Sequence, residues 1–272
     1  MYKNYFGLSE APFNMTPDPR FIYFSRKHQE AFATLVYGVN YRKGFIEITG
    51  EIGAGKTTLC RRLLSEINGR ARTALLLNPC LSDTQLLTAI VDDFGIHCKT
   101  RTKKGLFDAL NQFLLDVGQK GLTSVLIIDE AQNLSHKTLE QIRLLSNLET
   151  EREKLLQIIL VGQPELRETL RHPSLVQLRQ RISLRYHLPA LDMQETSEYI
   201  LWRLKVAGGE GSVTFTPDAF EQIYMAAQGV PRLINNLCDK AMLAAYVRET
   251  KTIDGKIVED VFQEVEGSMV TA

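Results

Sequence analysis

Hydrophobic and polar positions fall into two textures that change near Pro189. Before it, short apolar runs alternate with segments whose apolar residues recur every three to four positions, the periodicities of buried strands and amphipathic helices. Phe45-Ile46-Glu47-Ile48, Thr73–Asn78 (closed by Pro79), Val125–Ile128 and Leu155–Val161 have the length and composition of buried strands and predict four central strands. A fifth segment alternates with period two. Ile182, Leu184, Tyr186 and Leu188 face one way and Ser183, Arg185 and His187 the other, which predicts an edge or half-covered strand. Helical spacing appears between the runs: at Leu86, Ile90 and Phe94 after the capping-box sequence Ser82-Asp-Thr-Gln85, at Leu106, Leu110, Phe113 and Val117, and at Leu139, Ile142 and Leu145. Strands alternating with helices predict an α/β fold with a central parallel sheet.

Past Pro189 the segments 192–207, 217–228, 231–248 and 256–266 all read as helices, separated by Gly208-Gly209-Glu210-Gly211 and Gly229-Val230-Pro231. Residues 1–25 are rich in aromatics and hold Pro12, Pro17 and Pro19, an extended lead-in before a helix around Arg26–Tyr41. The expected organisation is a lead-in and helix over 1–44 packed on the core, an α/β domain over 45–189 and a helical domain over 190–272.

The chain has 272 residues, 44% of them hydrophobic, enough to exclude intrinsic disorder and to bury substantial cores. No segment approaches the roughly 18 consecutive apolar residues of a spanning helix. Its opening residues lack a basic stretch followed by an apolar one, so the expected compartment is the cytoplasm. With 32 Lys+Arg against 32 Asp+Glu the net charge is zero, which gives no bulk attraction toward nucleic acid or anionic lipid. Cys60, Cys80, Cys98 and Cys238 form no CxxC and have no histidine at metal-ligand spacing; they predict buried reduced thiols rather than disulfides or zinc.

Two motifs carry chemistry. Gly50-Glu51-Ile52-Gly53-Ala54-Gly55-Lys56-Thr57 is a full G-x-x-x-x-G-K-T match, placed between the Phe45–Ile48 strand and a helix containing Leu59, Leu63 and Ile67. Its glycines let backbone N–H groups wrap phosphate oxygens at a helix N-terminus, and Gly50, Glu51, Gly53, Ala54, Gly55, Lys56, Thr57 and Thr58 are the expected nucleotide-binding residues. Lys56 is expected to reach the β- and γ-phosphates of ATP and Thr57 to hold Mg²⁺. The second motif, Val125-Leu-Ile-Ile-Asp129-Glu130, delivers two adjacent carboxylates at a strand's C-terminal end, where open α/β sheets bind ligands. Asp129 is expected on Mg²⁺ and Glu130 on the attacking water. The chain lacks a second RecA-like domain, which sets a helicase aside.

Six segments in order give the chain its resemblance: Phe13-Asn-Met-Thr-Pro-Asp-Pro-Arg20-Phe21, Gly50–Thr58, Asp129-Glu-Ala-Gln-Asn-Leu134, Val161-Gly-Gln-Pro-Glu-Leu166, Gln180-Arg-Ile182 with Tyr186-His-Leu188, and Gly229-Val-Pro-Arg232. The chain resembles AAA+ ATPases, most closely the secretion-assembly and pilus-biogenesis ATPases of the ExeA/GspA type, relatives of the TnsC-type transposition regulators. The resemblance implies a P-loop AAA+ core with a C-terminal helical lid. It puts Gln163 at the sensor-1 position, where many family members have Asn, the alternative being a structural strand-end amide. Arg232 matches the sensor-2 arginine. Arg181 is the candidate arginine finger acting on a neighbour's ATP, with Arg179 the runner-up and ordinary solvated arginines the alternative. The N-terminal lead-in of such proteins often lies near the adenine, which makes Tyr23 and His28 candidates, with packing equally open.

The implied function is an ATPase that converts ATP to ADP and phosphate and drives homo-oligomer assembly or remodelling of a cell-envelope secretion or pilus machine. The alternative is an ATP-dependent DNA-binding regulator of the TnsC type. The basic cluster Lys99-Thr-Arg101-Thr-Lys103-Lys104 and the pair Arg61-Arg62 are the only hints of polyanion contact, and with no interleaved aromatics they read better as solvated surface. Secretion-assembly members continue into a membrane span and a periplasmic peptidoglycan-binding region. A chain ending at Ala272 after a short Gly267–Ala272 tail is either a stand-alone cytoplasmic relative or a fragment tethered at the inner face of the inner membrane.

Overall fold

The computed structural model describes residues 1–77, 82–149 and 153–270, with 265–270 as helix backbone only. Asn78, Pro79 and Cys80 therefore lie outside the described residues. After a single turn, α1 (Tyr2–Tyr5), the first half of the chain runs α2 (Arg26–Asn40), β1 (Phe45–Gly50), α3 (Lys56–Glu66), β2 (Ala71–Leu76), α4 (Asp83–Asp93), α5 (Lys103–Gln119) and β3 (Thr123–Ile128). It continues through α6 (His136–Leu145), β4 (Leu156–Gly162), α7 (Glu165–Leu170), α8 (Val176–Arg181) and β5 (Ile182–Leu188). The strands form one five-stranded sheet in the order β2-β3-β4-β1-β5, every neighbouring pair parallel.

Residues Lys27–Gly50 and Leu59–Leu188 form one compact unit around this sheet. β1 and β4 are buried at every position, as their unbroken apolar runs require of strands covered on both faces. Leu126, Ile128, Ile158 and Leu160 share a core with Leu86 and Ile90 of α4, Leu106, Leu110 and Leu114 of α5, and Leu139 and Ile142 of α6. The α4 start is capped as its sequence predicts, the Ser82 N–H donating to Gln85 Oε1 at 2.9 Å. β5 is an edge strand with its expected alternation. The expectation for residues 73–78 needs correction. Within it, residues 73–76 sit in β2, the other edge, paired with β3 and only partly buried, because an apolar sequence does not say how many neighbours a strand finds.

Residues Met1–Arg26, Glu51–Thr58 and Pro189–Ala272 form a second unit. Its helices are α9 (Met193–Val206), α10 (Pro217–Ala227), α11 (Pro231–Val247) and α12 (Gly255–Val270), joined by a two-residue parallel pair, β6 (Thr214–Phe215) with β7 (Thr252–Ile253), too short for a sequence pattern. α12 runs on through most of the expected tail. Residues 1–26 do not group with the sheet as expected of a lead-in packed on the α/β core. Phe6, Leu8, Phe13 and Phe21 are buried among Tyr199, Ile200, Leu204, Phe215 and Met242. The reason is Arg203, 7% exposed, whose guanidinium donates to the carbonyls of Pro12 (2.5 Å) and Asn14 (3.2 Å) and to the Tyr199 hydroxyl (3.0 Å), and lies 4.8 Å from the Phe21 ring centre. A buried cation must satisfy its donors, and the lead-in supplies the acceptors.

Candidate functional site

Gly50 ends β1, and the loop that follows turns on Gly53 (φ +81°) and Gly55 (φ +94°), a region where a Cβ would meet the backbone. Lys56 opens α3, is 6% exposed, and donates from Nζ to the Glu51 carbonyl at 2.9 Å. The Ala54 N–H donates to the same carbonyl at 3.1 Å. Ala54 is buried, Glu51 exposed, and Gly55, Thr57 and Thr58 are intermediate. This is the geometry of a phosphate cradle: a turn only glycine can follow, a buried ammonium at its end, and a helix N-terminus behind it.

Arg232 belongs to the same unit. It is exposed at the start of α11, and its backbone N–H donates to the Gly53 carbonyl at 3.3 Å. A Cβ on Gly53 would stand 2.5 Å from Arg232 Cβ, so that glycine is needed for close approach as well as for its φ.

The other chemical groups stand at the C-terminal edge of the sheet, where β1, β3 and β4 all end. Asp129 follows β3, is 3% exposed, and its N–H donates to the Leu76 carbonyl at 2.8 Å. Glu130 adopts the left-handed conformation (φ +53°), costing about 1–2 kcal/mol for a residue with a Cβ. The turn aims its carboxylate at two amides: Gln132 Nε2 donates to Glu130 Oε2 at 2.5 Å and Gln163 Nε2 donates to the same oxygen at 3.3 Å. The backbone N–H of Gln163 donates to Gln132 Oε1 at 3.1 Å. Gln163 and Glu130, 33 positions apart in sequence, are thus brought together. Gln132 has no role in the sequence reading beyond its place in the Asp129-Glu-Ala-Gln-Asn-Leu134 segment, two residues past Glu130, which is the signal that could have found it.

Among the described residues there is no cluster of three or more His, Cys, Asp and Glu able to hold a metal.

Arg181, last residue of α8, is half-buried and donates from Nη1 to Ser146 Oγ at 2.6 Å, while Arg179 is exposed. Arg185 donates from Nη2 to the Arg179 carbonyl at 2.5 Å and from Nε to Glu47 Oε2 at 3.1 Å. Glu47 lies in β1 with its carboxyl pushed above the usual carboxylate range by burial, which the Arg185 guanidinium only partly offsets. Tyr23 donates to the Glu198 carboxylate and its ring lies edge-on to Tyr199, whereas His28 is buried on α2; the two are in different units. In the basic segments, Arg101 pairs with Asp92 at 2.7 Å and Arg62 with Glu66 at 3.4 Å. Cys60 and Cys238 are buried thiols and Cys98 is partly exposed.

Residues 39–170 match the family described as AAA domain. The chain is 46% identical over 259 residues, 94% of its length, to general secretion pathway protein A of Aeromonas hydrophila, and spans 47% of that protein. Among solved structures it is similar to the ORC2 protein of Aeropyrum pernix in ADPNP–ADP complexes (TM-score 0.70, 18% identity, 94% of this chain and 72% of that one). It is also similar to Drosophila ORC bound to DNA (TM-score 0.66, 18% identity, 93% and 64%) and to a RuvB of Thermotoga maritima (TM-score 0.57, 22% identity, 87% and 69%). At these identities the structural likenesses speak for the fold alone. The AAA-domain match spans both the glycine-turned phosphate loop after β1 and the acidic pair after β3, and nearly the whole of this chain is similar to one secretion protein.

Proposed function

We propose that this chain hydrolyses ATP to ADP and phosphate and uses the cycle to assemble or remodel a cell-envelope secretion or pilus machine, working as a homo-oligomer formed on ATP binding. The observation that carries the reading is the Glu130 carboxylate, held by two amides at the C-terminal edge of the sheet whose β1 runs into the phosphate loop. A carboxylate so oriented suits a general base for water. The residues fit MgATP: Gly50, Glu51, Gly53, Ala54, Gly55 and Thr58 line the cradle, Lys56 meets the β- and γ-phosphates, and Thr57 with Asp129 takes the metal. Bound there, Mg²⁺ would neutralise phosphate charge.

Gln163 orients the water together with Glu130. Arg232 acts as the sensor-2 arginine, supported by the hydrogen bond of its N–H to Gly53. Under this reading residues 45–189 are the ATPase core, 190–272 the lid, and the neighbour's finger is Arg181 or Arg179. The workplace under this reading is the inner face of the inner membrane, and the relative's name supports only the link to secretion. Among the described residues no helix is long and apolar enough to cross a membrane, so tethering would fall to a partner or a further segment. DNA is the less favoured partner, since Arg101 and Arg62 already have carboxylate partners.

The test is steady-state ATP turnover across protein concentration, with sizing in the presence and absence of a non-hydrolysable analogue. Turnover per subunit should rise as the protein assembles, and Glu130→Gln should trap ATP-bound assemblies. Undiminished turnover in Glu130→Gln would sink the assignment of the base. Salt-sensitive retention on duplex DNA only with ATP would move the partner from protein to DNA.

A further inference from the structure

We infer that Gln132 is a positioning residue for hydrolysis, locking the Glu130 carboxylate so that one oxygen is held and the other is left for water. The inference rests on the ATPase reading above and adds a residue to it. Three observations converge. First, Gln132 bridges: its Nε2 donates to Glu130 Oε2 at 2.5 Å while its Oε1 accepts from the Gln163 backbone N–H at 3.1 Å. A side-chain amide used at both ends has its orientation fixed, because a flip would set oxygen against the carboxylate and nitrogen against an N–H donor. Second, Gln163 Nε2 donates to the same Oε2 at 3.3 Å, so two amides meet on one oxygen and Oε1 remains the carboxylate's other acceptor. Third, the surroundings are shaped for the bridge. Glu130 is left-handed, which turns the following 3-10 segment Ala131–Asn133 back on it. At position 162 a Cβ would stand 2.8 Å from Gln132 Oε1 and 2.9 Å from Leu166 Cδ2, so β4 ends in a glycine that leaves room for the amide as well as for Leu166.

In the step this arrangement serves, the water oxygen forms a bond to the γ-phosphorus as the bond to the ADP oxygen breaks, and the water's proton passes to Glu130. A carboxylate free to rotate would present its oxygens to the water only part of the time; one pinned at Oε2 presents Oε1 continuously. Gln132 touches neither water nor phosphate in this scheme and acts through Glu130.

A merely structural role is distinguishable. If Gln132 serves only to tie the 3-10 segment to β4, its acceptor atom is what matters, and Gln132→Glu keeps an oxygen for the Gln163 N–H. If it positions Glu130, the donor matters, and both Gln132→Glu and Gln132→Met should lower kcat by about 10- to 100-fold, part of what a general base contributes. KM for ATP and nucleotide affinity should stay within twofold, because the cradle is untouched. Gly162→Ala, which crowds the same amide, should lower kcat in the same sense by a smaller factor. Wild-type kcat in Gln132→Met or in Gln132→Glu would overturn the inference, as would a KM that rises in step with the fall in kcat. Should Gln132→Met not fold, Gln132→Glu and Gly162→Ala decide by the same criteria. Absence of turnover in the wild type would remove the ATPase reading itself, whereas an active wild type with equally active variants removes only the role of Gln132.

Discussion

Glu47 offers the sharpest test of the energetics. It sits between Ile46 and Ile48 on a fully buried strand, three positions before Gly50, with its side chain 4% exposed while its partner Arg185 is 47% exposed. The two partners are therefore not equivalent. Removing the carboxylate in Glu47→Gln leaves a guanidinium that water can reach; removing the cation in Arg185→Leu leaves a buried carboxylate without its partner. Breaking a fully buried pair costs about 3–5 kcal/mol, and the half-exposure of Arg185 scales this to about 2–3 kcal/mol for Arg185→Leu near pH 8. Glu47→Gln is expected within about 1 kcal/mol of wild type, or above it. The pH dependence follows from burial holding the Glu47 carboxyl above its ordinary value. The folded chain then binds that proton more tightly than the unfolded one. Its contribution is complete below the ordinary carboxylate range and is lost as pH rises through the raised folded value. Urea unfolding at a series of pH values from 4 to 8 (about one unit apart) reads all of this. Wild type should lose stability through that window, Glu47→Gln should lack this component, and the deficit of Arg185→Leu should shrink as pH falls. Equal losses in the two variants at every pH would refute the reasoning.

Lys56→Ala should abolish nucleotide binding measured by calorimetry, because the ammonium buried at the loop's end is the charge proposed to meet the β- and γ-phosphates; retained affinity would argue against the cradle. Arg181→Ala should lose turnover without losing affinity and regain it when mixed with Lys56→Ala subunits, which supply the arginine from next door. If Arg179→Ala behaves that way instead, the finger is the exposed arginine and Arg181 is the tie to Ser146. Arg203→Met should destabilise by about 2–4 kcal/mol by thermal unfolding, since it strands the carbonyls of Pro12 and Asn14, and Arg203→Lys should recover little of it because an ammonium cannot reproduce the planar fork. A lysine variant as stable as wild type would contradict that account.

Local pattern was a good guide wherever one segment's chemistry decided the outcome. The buried runs at 45–48 and 125–128 lie in strands, that at 155–161 does so from Leu156 on, the Ser82–Gln85 cap closes as its spacing requires, and the helices after Pro189 begin and end within a residue or two of expectation, except α12, which runs on to Val270. Gln163 meeting Glu130 came from a resemblance, since periodicity carries no information on which strand ends become neighbours. Three features were illegible for the same reason. The β2 run looked central and is an edge, the N-terminal aromatics joined the helical unit, and Gln132 turned out to bridge two groups.

By itself, then, the sequence determined the elements, the phosphate loop and the acidic pair, because each depends on residues adjacent in the chain: an apolar period, glycines at a turn, carboxylates at a strand's end. Only the tertiary structure decided strand order, the company kept by residues 1–26 and the hydrogen bonds that hold Glu130. Those depend on burial and on the satisfaction of buried donors by acceptors distant in sequence, as with Arg203 and the carbonyls of Pro12 and Asn14.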